Sequence, residues 1–320
     1  MTSRQGGLEI GNCIHTTNKQ REISSFEFQV SNSVIYPKNN FLKSIRTMDN
    51  GQPTIDRIGL IAGSGKFPLL IAESAKKRGL KVIAVAHRGE TATELADKVD
   101  EITWIGLGQF GHLLSAFKSR EVCHVLMAGG ITKAKMFANG RPDLKGLEVI
   151  GKLLIFHDDD ILRAVARELE KEGINVVSST DYLPELLAPS GCLTKRKPSK
   201  EEMDDIEFGW MVAKELGRLD IGHCVVVRRK TVVAVEAIEG TDKAILRGGA
   251  LAKEGGVVVK VCKPNQDLRF DLPAVGISTV NVMSKVNASV LAIEAGKTLV
   301  FDKEEMIYLA DSNGIAIISR

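Results

Sequence analysis

The chain has 320 residues, 44% hydrophobic and 26% charged, an ordinary globular composition long enough for two domains. A net charge of +3 and an aromatic content of 5% offer neither the basic footprint nor the stacking platforms of a nucleic-acid binder. The five cysteines, Cys13, Cys123, Cys192, Cys224 and Cys262, lack metal-ligand spacing and fit a reducing compartment, and no run reaches the about 20 apolar residues of a membrane span.

Residues 1–57 are polar and rich in Ser, Asn and Thr, without periodicity, and are expected to be a disordered extension. Met48, just ahead of the first apolar run, is expected to be the true translation start. From Ile58 the stretch "IGLIAGSGKFPLLIAESAKKRGLKVIAVAHRGE" predicts a strand, a glycine turn, a helix and a second strand. Pro68 suits a first helical turn and Gly79 a helix end. "EITWIGL" predicts a third strand, "QFGHLLSAFKSR" a helix and "HVLMAGG" a fourth strand. "DILRAVARELEKEG" predicts a helix whose acidic opening, "HDDD", suits the positive end of its dipole. "NVVSS" returns as a strand. This alternation predicts a doubly wound parallel sheet over residues 58–187.

Two prolines and a glycine in "APSGCLTKRKPSKEEMDD" predict a linker at 188–202. Residues 203–320 then read as a second, mixed α/β domain, in which "HCVVVRRKTVVAVEA" forms two strands about a basic turn.

A dinucleotide fingerprint requires a third glycine and a carboxylate after the second strand. Pro68 takes the place of that glycine, and the second strand ends on His87 and Arg88, so a nicotinamide oxidoreductase is disfavoured. The turn Gly63-Ser64-Gly65-Lys66 is instead suited to an anion on exposed amides, or is simply a tight turn. "MAGGITKAKMF" places Gly129 and Gly130 at the end of the fourth strand, followed by Lys133 and Lys135. Both turns are expected to face one crevice and bind phosphate, unless the lysines are merely solvated.

Seven segments now occur in order: "GLIAGSGKFPLLIAESAKKRG", "HDDDILRAVARELEKEGINVV", "LAPSGCLT", "LDIGHCVVV", "VVAVEAIEGTDKAILRGG", "VKVCKPNQDLRFDLPAVGISTV" and "AIEAGKTLVFD". Together they resemble the UDP-2,3-diacylglucosamine pyrophosphatases of alpha-proteobacteria and several other Gram-negative bacteria, over residues ~58 to 320. The resemblance implies a Rossmann-like N-terminal domain and a distinct mixed α/β C-terminal catalytic domain, with the lipid between them. It implies Mg²⁺-dependent hydrolysis of UDP-2,3-diacylglucosamine to UMP and 2,3-diacylglucosamine 1-phosphate (lipid X), a step of lipid A synthesis. The expected location is the cytoplasm, peripheral to the inner membrane; a homodimer stays open. A non-catalytic nucleotide-binding module is the alternative from another class.

Such a reaction needs carboxylates near cations, because catalysis is charge neutralisation and positioning of water. The resemblance places Asp271 at the family's catalytically important aspartate, to bind magnesium or orient water. Asp242 is expected to assist as a second metal ligand and catalytic group, with Glu239. Arg247, Lys263 and Arg269 are expected to hold the phosphates. If the segment is extended, Asp267, Arg269 and Asp271 share one face; alternatively they form a surface salt-bridge ladder, and Asp242 is only a helix cap. "GWMVAKEL" and "VNVMSKVNASVLAI" are candidates to line the lipid, or are core.

Overall fold

A computed structural model describes residues 56–131, 142–151 and 158–320. The expected extension falls almost wholly before them. Met48, Lys133, Lys135, His157 and the side chains of Asp158, Asp159 and Asp160 lie outside the described residues.

The N-terminal half follows the predicted alternation. Its elements are β1 (Arg57–Ala62), α1 (Phe67–Lys77), β2 (Lys81–His87), β3 (Glu101–Ile105), α2 (Phe110–Lys118), β4 (His124–Ala128), α3 (Leu144–Gly151), α4 (Asp158–Lys171) and β5 (Asn175–Val176). Every pairing is parallel, in the order β3-β2-β1-β4-β5. β1 and β2 are buried from Ile58 to Ala62 and from Val82 to His87, as strands covered by crossover helices on both faces must be. Helix α1 carries Pro68 where no amide partner is needed, ends on Lys76 and Lys77, and is followed by Gly79 at φ 80°.

The strand order reverses between β1 and β4, and there two glycine turns meet. The Gly63 amide donates to Ala128 O at 2.8 Å; the Ser64 amide donates to Gly130 O at 2.7 Å, and Gly130 returns a bond to Ser64 O at 3.2 Å. A Cβ on Gly63 would stand 2.4 Å from Gly130 O, and one on Gly129 2.4 Å from Ser64 O. These glycines are required by backbone meeting backbone.

The C-terminal half comprises β6 (Gly191–Cys192), α5 (Lys200–Arg218), β7 (Cys224–Arg228), β8 (Thr231–Val235), α6 (Thr241–Ala252), β9 (Val257–Lys260), β10 (Ala274–Val275), α7 (Ile277–Ser284), β11 (Val290–Ile293), β12 (Leu299–Val300), α8 (Lys303–Ser312) and β13 (Ala316–Ser319). Its sheet has the order β6-β13-β11-β9-β7-β8 and mixes parallel with antiparallel pairs; β10 and β12 form a separate parallel pair.

The expected linker at 188–202 is largely built into this half. β6 pairs antiparallel with β13, and Thr194 Oγ1 accepts the Ile317 amide at 2.9 Å. Ser199 then opens α5 in a reciprocal capping box with Glu202. Proline and glycine punctuation is visible in sequence, but a partner strand at the far end of the chain is not.

The basic turn between β7 and β8 holds both Arg229 and Lys230 at positive φ, 50° and 55°. Hairpins with two left-handed residues favour Asn-Gly, so Arg-Lys requires outside support. Asp205, 2% exposed on α5, accepts both amides, at 2.8 and 2.5 Å. Asp205→Ala leaves two partly buried donors without their acceptor, an expected loss of about 1–3 kcal/mol. Thermal unfolding should register it as a Tm drop of about 2–4 °C per kcal/mol; an unchanged Tm would show the turn to be self-supporting.

Candidate functional site

A cavity of about 1150 Å³ lies at the carboxyl ends of β1, β2 and β4 and is closed by segments of the C-terminal half. It is larger than the about 300–1000 Å³ of ordinary ligand pockets. Most of its wall is apolar, with Ile61, Ile105, Phe110 and Met127 on one side and Phe270 and Leu299 on the other. Open α/β sheets take ligands outside their strand ends where the order reverses, which is where this cavity sits.

Two contacts join the halves beside the first glycine turn. Lys66 Nζ pairs with Asp302 Oδ2 at 3.1 Å, and the Phe67 and Phe301 rings meet edge to face at 5.8 Å. Ser64, Gly65, Lys66, Gly129 and Gly130 line the cavity, whereas Gly63 does not. The expectation that these turns offer free amides needs correction. The Gly63, Ser64 and Gly130 amides are spent on one another's turns, leaving those of Gly65 and Lys66 without a hydrogen bond among the described residues.

Asp271 lines the cavity between Phe270 and Leu272. Its segment is a turn rather than the extended ladder expected, and the Asp271 amide donates to Asp267 O at 3.0 Å. The i-to-i+4 bond abolishes the alternation that would have put Asp267, Arg269 and Asp271 on one face. Arg269 instead turns outward to Asp267 (2.8 Å) and to Glu170 on α4 (2.7 Å). Hydrogen bonding to Asp267 raises its pKa further and fixes it as an ionic tie between the halves. The Arg269 carbonyl also accepts from the Ser179 amide at 3.0 Å.

The other expected cations and carboxylates also lie off the cavity lining. Glu239 holds Arg247 at 2.5 Å, and that hydrogen bond lowers the Glu239 pKa. Asp242 is exposed in the first turn of α6. Lys263 pairs with Asp220 at 2.5 Å. Asp271 lines the cavity and Asp242 does not, so the expected pair is not assembled around it. "GWMVAKEL" likewise belongs to α5, where Gly209 packs on Val225, Val227 and Val259 of the sheet; of "VNVMSKVNASVLAI" only Asn281 reaches the cavity.

Sequence reasoning missed His87, Ser278, Thr279 and Asp302, all of which line the cavity. His87 carried a usable signal, since it ends the strand beside the reversal point. Its Nδ1 lies 3.0 Å from Ala62 O, so the neutral ring carries its proton there and presents Nε2 as an acceptor. Thr91 braces it, donating to Ala62 O at 2.6 Å and accepting the His87 amide at 3.0 Å.

A second α/β half closing a cavity at the strand-order reversal of the first defines a two-domain α/β protein with a large cavity between the domains. Residues 57–186 match the family model of the LpxI N-terminal domain and residues 189–318 that of the LpxI C-terminal domain. The chain therefore belongs to the LpxI family. It is 34% identical over 273 residues to the UDP-2,3-diacylglucosamine pyrophosphatase LpxI of Caulobacter vibrioides, covering 82% of this chain and 96% of that one. Among solved structures, the urea amidolyase of K. lactis gives a TM-score of 0.26 at 16% identity, over 46% of this chain and 7% of its own. Phosphoribosylglycinamide synthetase from Anaerococcus prevotii gives 0.23 at 16%, over 54% and 32%. The chain thus spans only a small part of either, and neither likeness bears on function.

Burial holds the His87 pKa below its ordinary 6.5. The unfolded chain then binds a proton below pH 6.5 that the folded chain refuses, so this group's contribution to stability falls as pH drops from there. His87→Asn keeps a donor for Ala62 O and removes the titration. Its Tm difference between about pH 7.5 and about pH 5.5 should therefore be smaller than the parent's; an equal difference would place the proton uptake elsewhere.

Proposed function

We propose that the protein hydrolyses the pyrophosphate bond of UDP-2,3-diacylglucosamine, yielding UMP and 2,3-diacylglucosamine 1-phosphate, with Mg²⁺ as cofactor. The observation that carries this reading is Asp271, a carboxylate set in the wall of a large, mostly apolar cavity at the strand-order reversal. An apolar chamber of that size suits a diacylated ligand. The Gly65 and Lys66 amides and the Lys66 ammonium suit its anionic head. The Caulobacter relative's name supplies the substrate class.

Hydrolysis requires a water in line with phosphorus and neutralisation of the charge on the phosphoryl oxygens. Asp271 takes the part of orienting that water and accepting its proton. The apolar wall excludes bulk water, which strengthens every charge interaction within.

No cluster of three or more His, Cys, Asp or Glu residues suited to a metal occurs among the described residues. The carboxylate of Asp271 fits magnesium, which keeps its waters and is held by one or two carboxylates plus substrate phosphates. Asp271 would be the protein ligand, and the bound ion would neutralise charge on the diphosphate. Asp242, exposed on α6, is not carried forward as its partner. No helix among the described residues is long and apolar enough to cross a membrane; the diacyl substrate would be met at a membrane surface, on the cytoplasmic side.

Purified protein given UDP-diacylglucosamine and Mg²⁺ should release UMP, and EDTA should abolish the release. Asp271→Asn keeps the side chain's shape and should reduce turnover by about 10²-fold or more with Tm preserved. Full activity in that variant would remove Asp271 from the chemistry.

A further inference from the structure

A second anion-ready element faces the same cavity from the C-terminal half. Gly276, Ile277, Ser278 and Thr279, the entry to α7, all line it. The helix begins from extended backbone at Gly276 (φ −171°), with no side-chain cap and no acidic residue in its first turn. The Thr279 and Val280 amides are used on Gly276 O, at 3.0 and 3.3 Å, but those of Ile277 and Ser278 carry no hydrogen bond among the described residues. Helix α5 differs in carrying a side-chain cap: Ser199 Oγ accepts the Glu202 amide and Glu202 accepts the Ser199 amide.

An open helix start alone would mean little, since water satisfies many. Thr279 is the independent observation. It is 5% exposed, lines the cavity, and its hydroxyl makes no hydrogen bond to any described residue. Its oxygen opens onto the cavity instead of being sealed in packed protein, so the hydroxyl is placed to donate to a ligand held there. Ser278 and Asn281, also on the lining, put further polar groups beside the same two amides. Of the carboxylates on the lining, Asp302 is already neutralised by Lys66 and Asp271 is the group assigned to water and metal.

We propose that the N-terminus of α7, through the Ile277 and Ser278 amides and the Thr279 hydroxyl, is a seat for one phosphoryl group of the ligand. Identifying that group as part of the substrate's diphosphate rests on the function proposed above; the seat itself does not. Amides and hydroxyl donate to phosphoryl oxygens, and the helix dipole favours the negative charge. The head of the ligand is then held by two helix starts, Gly65–Lys66 ahead of α1 and Ile277–Ser278 of α7.

The test measures binding of inorganic phosphate and of UMP by calorimetry, without turnover, alongside Tm in phosphate-free buffer, for the parent protein, Thr279→Val and Thr279→Ser. The parent should bind both probes. Thr279→Val should bind at least about fivefold more weakly while its Tm stays equal or rises, and Thr279→Ser should restore the affinity. A parent that binds neither probe, or a Thr279→Val protein of undiminished affinity, overturns the proposal. So does a Thr279→Val protein that unfolds or melts early while Thr279→Ser does not, since the hydroxyl is then structural. Phosphate binding of the expected pattern without UMP release would sink the proposed hydrolysis and leave the seat standing.

Discussion

The structure turns on the close approach of two backbone segments, Gly63–Ser64 after β1 and Gly129–Gly130 after β4. Their carbonyls and amides interlock at 2.7 to 3.2 Å, and neither Gly63 nor Gly129 has room for a Cβ. This contact lies where the strand order reverses, so it sets the floor from which the cavity opens. It also spends the amides that a phosphate-binding turn would have offered, and moves the anion-ready groups one step along, to Gly65 and Lys66. Those residues lead into α1, where Lys66 and Phe67 carry contacts to Asp302 and Phe301 across the cavity mouth. Sheet topology, anion chemistry and closure by the second half all pass through one short stretch.

Charge is distributed by a simple rule. Pairs close in sequence or across a helix and loop saturate each other outside the cavity: Glu239 with Arg247, Lys263 with Asp220, Arg269 with Asp267 and Glu170. What remains on the cavity lining is sparse: Lys66 with Asp302, Asp271, neutral His87 and a few hydroxyl and amide groups. In a largely apolar chamber few charges suffice, because each acts in low dielectric. Arg269 shows the cost of inferring role from composition. It lies two residues before Asp271 and off the cavity lining, and its guanidinium ties one half to the other through Glu170.

The strand–helix rhythm of residues 58–187 was legible because parallel strands buried on both faces must be continuously apolar, and "IGLIA" and "KVIAVA" are. The crevice between the two glycine turns was legible from the same topology. The carboxylate Asp271 came through the resemblance, and the structure puts it on the cavity wall. Asp302 stands just ahead of α8, while His87 ends β2 beside the cavity and could have been weighed from position alone. Thr279 could not: a threonine in "GISTV" looks like any other until its burial and its missing partner are known.

The chain's order of residues was enough to decide which segments are strands or helices, where turns must be glycine, and which family the protein joins, because these depend on local periodicity and on motifs in register. Only the folded chain decided which amides are already spent, that 188–202 contributes a strand, and that Asp242 lies off the cavity lining while Thr279 lies on it. Those outcomes depend on which distant backbone satisfies which polar group, and hydrogen-bond partners separated by more than a hundred residues leave no trace in local sequence.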